Sequence, residues 1–139
     1  MIIEVKDLEH KPNERGSEEI GATFHDTEVE QAAYGLRASI SWDAGIELIT
    51  PLPGRDSEIK RRLETQGDGL AGVVFMLDDV EQAREAAERS SIVILFSEEF
   101  TSDQIEKHLQ CRYKRFKEYM LDPTNTHGIP TVLGQFDPK

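Results

Sequence analysis

One carboxylate falls inside an otherwise apolar strand pattern: Glu47, in Gly45-Ile46-Glu47-Leu48-Ile49-Thr50. A carboxyl group so placed has three uses: a metal ligand, a polar anchor for a bound molecule, or a partner for an arginine within the fold. Desolvated and without a cation, it would titrate above the ordinary range and could serve as a base or a hydrogen-bond donor. His10 and His25 lie in a polar N-terminal stretch and read as solvated loop residues, although either could in principle swing in as a replacement donor. His108 stands three residues before Cys111. A His-Cys pair suggests a thiolate nucleophile, but no Asp or Asn is in view to orient the histidine, and surface positions are the simpler reading. His127 sits between Asp122-Pro123 and Gly128 and reads as a turn residue. Arg112, Lys114, Arg115 and Lys117 form a basic cluster, which suits either an anionic group or one flank of a solvated strand.

These residues are positioned by a regular succession of elements. Ile2–Val5 is a short apolar strand, and residues 6–21, broken by Pro12 and Gly16, read as a loop or weak helix, with 10–20 the most weakly held segment. Tyr34–Trp42 and Ile46–Thr50 form a hairpin around Asp43-Ala44-Gly45. Asp56–Gln66 is a helix capped by Asp56 or Ser57, with Ile59 and Leu63 on one face. Leu70–Leu77 is a nearly continuous apolar strand, followed by a helix to Arg89 that Asp78 caps with Glu81 in a capping box. Ile92–Phe96 is a further strand, and Thr101 with Gln104 opens a helix to about Gln110. Phe116–Leu121 and Pro130–Phe136 close the chain as a strand pair. The order is two copies of a β-α-β-β-β unit, each with a strand ending in Asp ahead of its helix: Val5-Lys6-Asp7-Leu8-Glu9 and Leu77-Asp78-Asp79-Val80-Glu81.

Composition narrows the partners. At 139 residues the chain fits one domain. A formal charge of −11 disfavours nucleic acid and anionic membrane surfaces and favours solubility. A single cysteine leaves no internal disulfide and suits a reducing cytoplasm. No run approaches the roughly 18 apolar residues of a membrane span, and the opening residues lack a signal-peptide pattern.

Gly45–Leu70, the following Val73-Val74-Phe75-Met76-Leu77-Asp78-Asp79-Val80-Glu81-Gln82-Ala83, and Asp122-Pro123…Thr126-His127-Gly128 resemble methylmalonyl-CoA epimerases, in the vicinal-oxygen-chelate (glyoxalase, bleomycin-resistance and dioxygenase) superfamily. The resemblance implies an α+β fold: two β-α-β-β-β modules, about 1–54 and 69–139, joined by a helix over 56–66. It implies a cup-shaped mixed sheet with helices on its outer face. It also implies a divalent metal held by four ligands, two from each module. On that pattern the first ligand would precede Met1, the second is Glu47, and the third and fourth positions hold Gly72 and Val132. The proton-abstracting glutamate of the epimerases falls at Ala38. One donor of four does not hold a metal, so no metal or other cofactor is expected.

The positions in phase with those ligands are Ile2, Leu36, Ala38, Ile40, Glu47, Val74, Met76, Tyr119 and Val132. Read as ordinary packing they are core. Read as a lining they make an apolar pocket with one acid and one phenol, suited to an apolar or aromatic small molecule. Superfamily members that sequester drugs need shape and apolar area rather than a metal, and this chain is expected to resemble them. The alternative is a divergent isomerase, epimerase or lyase using Glu47. A homodimer is expected from the resemblance, and the departure over 97–115 reads as a lid or a dimer contact.

Overall fold

The computed structural model describes residues 1–4, 21–26, 35–109 and 112–139. The weak helix expected within 6–21, His10 and Cys111 lie outside these residues. The chain divides into two compact units, Met1–Ala71 and Gly72–Lys139.

In the first unit, β1 (Ile2–Glu4) lies parallel to β4 (Ile46–Pro51), β4 lies antiparallel to β3 (Leu36–Ser41), and β3 lies antiparallel to β2 (His25–Asp26). In the second, β5 (Gly69–Met76, which begins just before the boundary) lies parallel to β8 (Thr131–Pro138). β8 then lies antiparallel to β7 (Tyr113–Leu121), and β7 to β6 (Ile94–Glu99). Each unit therefore has the spatial order first, fourth, third, second, with the same one parallel and two antiparallel pairings. That shared order is what an internal duplication requires, and the fold class is α+β with a mixed sheet in each unit.

Helix α1 (Glu58–Gln66) starts at Ser57, whose hydroxyl accepts the Lys60 amide at 3.2 Å. It buries Leu63 and packs Ile59 against the core of Leu36, Ala38, Ile49 and Ala71. Arg62 donates to the carbonyl of Ala71 at 2.9 Å and to that of Leu70. Helix α2 (Val80–Arg89) is capped by Asp79, which accepts the Gln82 amide at 2.9 Å; the expected cap, Asp78, is one residue too early. The shift has a packing cause. Val80 is fully buried, and its amide donates to Gln135 Oε1 at 3.2 Å, which fixes the first turn on the sheet. Glu81 is thereby freed from a capping role. Helix α3 (Ser102–His108) carries the expected capping box: the Thr101 amide donates to Gln104 Oε1 at 2.8 Å and the Gln104 amide to Thr101 Oγ1 at 3.3 Å. It buries Ile105 and packs against β7. His127 takes a left-handed φ of 55° ahead of Gly128, the turn role expected of it. Among the described residues no helix is long and apolar enough to cross a membrane.

Candidate functional site

The hairpin that carries Glu47 is pinned at its turn. The Asp43 carboxylate accepts the Ser41 hydroxyl and the Ala44 amide, and Gly45 takes a φ of +64°. This fixes the register Ile40↔Glu47 on one side, and the β1–β4 ladder fixes Ile2↔Glu47 on the other. On β2, His25 pairs with Ile40. Cross-strand partners share a face, so one row crosses the sheet: His25, Ile40, Glu47, Ile2. The next residues on this face, Ala38 with Ile49 and Leu36 with Pro51, descend into the core that Ile59 covers. Ser39, Ser41 and Thr50 are buried on the opposite face.

Glu47 is therefore partly buried between two isoleucines. Among the described residues its carboxyl group makes no hydrogen bond or ion pair with another side chain. Loss of solvation pushes its pKa from 4.5 up to about 7, opposed by the Met1 ammonium, which is itself bonded to the Gly45 carbonyl at 2.9 Å. The geometry yields an acid near neutrality on an apolar surface. His25, expected to be a solvated loop residue, instead stands partly buried on that same face, two strands away. A two-residue strand gives no readable alternation, which is why the sequence concealed it.

Of the expected lining residues, Leu36, Ala38, Ile40 and Glu47 do share a face of the first unit. Leu36 and Ala38 are its buried floor, while Ile40 and Glu47 remain partly accessible. In the second unit Val74 pairs with Val132, and Met76 with Gly134, so these three residues share a face as well. Tyr119 does not join them. It pairs with Leu133 and Ser97, on the face opposite Val132. Its hydroxyl donates to Glu81 of α2 at 2.9 Å, and Lys117 Nζ reaches the same carboxylate at 2.6 Å and Glu99 at 3.1 Å. Bonds from Lys117, Tyr119 and Arg84 hold the Glu81 pKa down at about 2. Tyr119 is thus a strut beneath α2, on the other face of the second unit's sheet from Val74, Met76 and Val132. Lys117 and Arg115, half of the basic cluster, are likewise engaged, Arg115 with Glu99 at 3.4 Å.

The Val132 face carries aromatic rings that the phase through Tyr119 missed. Phe116 stacks on Phe136 with centroids 4.4 Å apart, and Phe100 and Tyr113 flank the pair at 4.6 and 5.8 Å. The Phe136 ring lies over Gly134, so close that a Cβ there would meet it at 2.7 Å. A depression of about 280 Å³ opens beside it, lined by Met76, Leu77, Asp78, Phe136, Asp137 and Pro138.

The metal that the resemblance implies can be tested against these residues. A Cβ at Gly72 would fall 2.9 Å from the Pro130 carbonyl oxygen, which accepts the Val73 amide at 3.0 Å. Backbone therefore occupies the space a donor side chain at residue 72 would need. Val132, the other expected ligand position in this unit, is a buried hydrocarbon. The two positions do not fit a metal. Among the described residues no three His, Cys, Asp or Glu side chains converge.

No family model and no curated protein sequence matches the chain. Its structure is similar to that of methylmalonyl-CoA epimerase from Mycobacterium tuberculosis, with a TM-score of 0.76 at 17% identity over 99% of this chain and 85% of that one. A hypothetical protein from Bacillus halodurans C-125 gives 0.73 at 10% identity, over 99% and 92% of the two chains. Streptomyces coelicolor methylmalonyl-CoA epimerase in complex with 2-nitronate-propionyl-CoA gives 0.70 at 21%, over 97% and 93%. At such identities the likeness is one of fold. The chain has the fold of the methylmalonyl-CoA epimerases, which are members of the vicinal-oxygen-chelate superfamily.

Proposed function

We propose that this chain is a metal-free, small-molecule-binding member of that superfamily, holding an apolar or aromatic molecule against the face that carries Glu47. The observation behind the proposal is a carboxyl group, unpartnered among the described residues, set between Ile2 and Ile40 above a closed apolar floor. Groups that stabilise a fold are normally satisfied within it. A carboxyl group with no partner among the described residues, beside apolar surface, suits one brought from outside. Gly72 and Val132 in place of donors support a binding mode that needs no metal. Bleomycin-resistance-type sequestration is the nearest functional comparison, and a cytoplasmic homodimer belongs to the same proposal. Light scattering is expected to give twice the chain mass of 15.7 kDa. A monomer at micromolar concentration would remove that part.

A hydrogen bond to an ionised carboxylate contributes about 1.5–3 kcal/mol, so Glu47→Gln is expected to weaken a donor ligand by roughly tenfold or more. The test is a thermal-shift screen of aromatic and heteroaromatic compounds, with each hit titrated against the parent and against Glu47→Gln. Hits that bind both equally would remove Glu47 from the site.

A second reading, divergent isomerase, epimerase or lyase, has one observation in its favour. A carboxyl group with a pKa of about 7 is matched to general-base work at neutral pH, and His25 stands on the same face. Incubation with methylmalonyl-CoA in deuterated water separates the readings. Deuterium uptake at C2 that Glu47→Gln abolishes would favour the enzyme, and no uptake is expected of the binder.

A further inference from the structure

We infer that the molecule held at the Glu47 face is a cation, a hydrophobic amine whose ammonium meets the Glu47 carboxylate while its carbon skeleton lies on Ile2 and Ile40. The inference deepens the binding reading above and rests on it. The strand neighbours of Glu47 are Ile40 on β3 and Ile2 on β1, and neither can supply a countercharge. Just before β1 the Met1 ammonium donates to the Gly45 carbonyl at 2.9 Å and acts on Glu47 only through space, and Glu4 follows in sequence. On β3, Arg37 pairs with Thr50 and so projects to the other face, and Asp43 in the turn is held by Ser41. On β2, His25 stands beyond Ile40. On α1, Arg62 is committed to the carbonyls of Leu70 and Ala71, and Lys60 pairs with Glu64 at 3.8 Å.

The charge Glu47 lacks is positive, and no described side chain delivers it. An anionic ligand would meet a carboxylate in a chain of net charge −11, whereas the same field concentrates cations. A neutral donor could bond the carboxylate but would leave its charge uncompensated at a partly desolvated position. An ammonium does both, and the flanking isoleucines select an ammonium attached to an apolar body.

The pairing links binding to a proton. With the free carboxyl titrating at about 7, most molecules carry the proton at pH 6 and few do at pH 8. Capture of a cation by the carboxylate therefore releases about 0.9 proton at pH 6 and about 0.1 at pH 8. The amine should also bind roughly tenfold more weakly at pH 6 than at pH 8.

The experiment is calorimetric titration of the full chain with 4-phenylbutylamine and its neutral counterpart 4-phenylbutanol, at both pH values, in buffers of different ionisation enthalpy. The amine is expected to bind at least tenfold tighter than the alcohol at pH 8, to release close to one proton at pH 6, and to lose its advantage in Glu47→Gln. Equal binding of amine and alcohol, or amine binding indifferent to pH or to Glu47→Gln, would overturn the cation inference while leaving a small-molecule site intact. Failure of both probes to bind at millimolar concentration, with the parent folded by circular dichroism, would overturn the inference together with the reading beneath it.

Discussion

Glu47→Gln is expected to stabilise the protein above pH 7 and to leave its stability nearly unchanged at pH 4. The carboxyl group has a folded pKa raised from 4.5 to about 7 by loss of solvation. For a group raised in this way, the favourable contribution is complete below the unfolded value and is lost as pH rises through the folded value. Between pH 4.5 and 7 the parent therefore pays a growing cost for ionising Glu47 among Ile2 and Ile40. At full ionisation that cost is roughly 3 kcal/mol, since each tenfold change in proton affinity corresponds to about 1.4 kcal/mol. Glutamine keeps the shape and removes the titration. Urea unfolding of parent and variant at pH 4, 6 and 8 should give a difference that grows with pH and then levels. A difference that stays flat, or that favours the parent at pH 8, would mean that Glu47 has a partner in solution.

The second large effect concerns the attempt to rebuild a metal site. Gly72→His combined with Val132→Glu restores two donor types at the positions the superfamily pattern indicates, and is expected to yield a destabilised protein rather than a metalloprotein. Any Cβ at residue 72 is forced to within 2.9 Å of the Pro130 carbonyl. Relief requires moving the strand or breaking the bond from the Val73 amide. Overpacking of this kind costs about 1–3 kcal/mol. A carboxylate in place of buried Val132 adds roughly a further 1–3 kcal/mol as an unsatisfied polar group. The midpoint of urea unfolding should fall sharply, and titration with nickel or cobalt should show no stoichiometric uptake. One metal bound per chain at micromolar concentration, without loss of stability, would show that the backbone at Gly72 yields readily and that the proposed metal-free design is shallow.

Much of the architecture could be read directly from residue order. The repeated strand succession follows from punctuation by Gly and Pro and from apolar runs of strand length, and both units show the same order of four strands. Thr101 with Gln104 announced a capping box because that signal is local: two side chains and two amides within one turn. The cap of α2 slipped by a residue because Asp78 and Asp79 are equally good caps locally. Burial of Val80 against the second unit's sheet decides between them.

The faces were harder to read than the elements. Alternation in β3 and β4 placed Leu36, Ala38, Ile40 and Glu47 together because a tight hairpin transmits register across two strands. In β7 no such anchor was available. Both alternating sets, Phe116-Glu118-Met120 and Lys117-Tyr119-Leu121, contain apolar and charged residues, so polarity does not say which faces α2. The structure settles it through Glu81, a residue 38 positions away from Tyr119 that the sequence cannot connect to it. The aromatic stack of Phe100, Phe116 and Phe136 was missed for the same reason. His25 escaped because its strand is too short to show a period.

The proposed site depends most directly on the state of one carboxyl group. Carbon-13 detection of the Glu47 side-chain carboxyl, assigned by its loss in Glu47→Gln, follows the titration without any ligand. The expected midpoint lies near 7, as befits a desolvated group between Ile2 and Ile40. A midpoint at or below 4.5 would show a solvated or already paired carboxylate, and the proposed site would lose its polar contact.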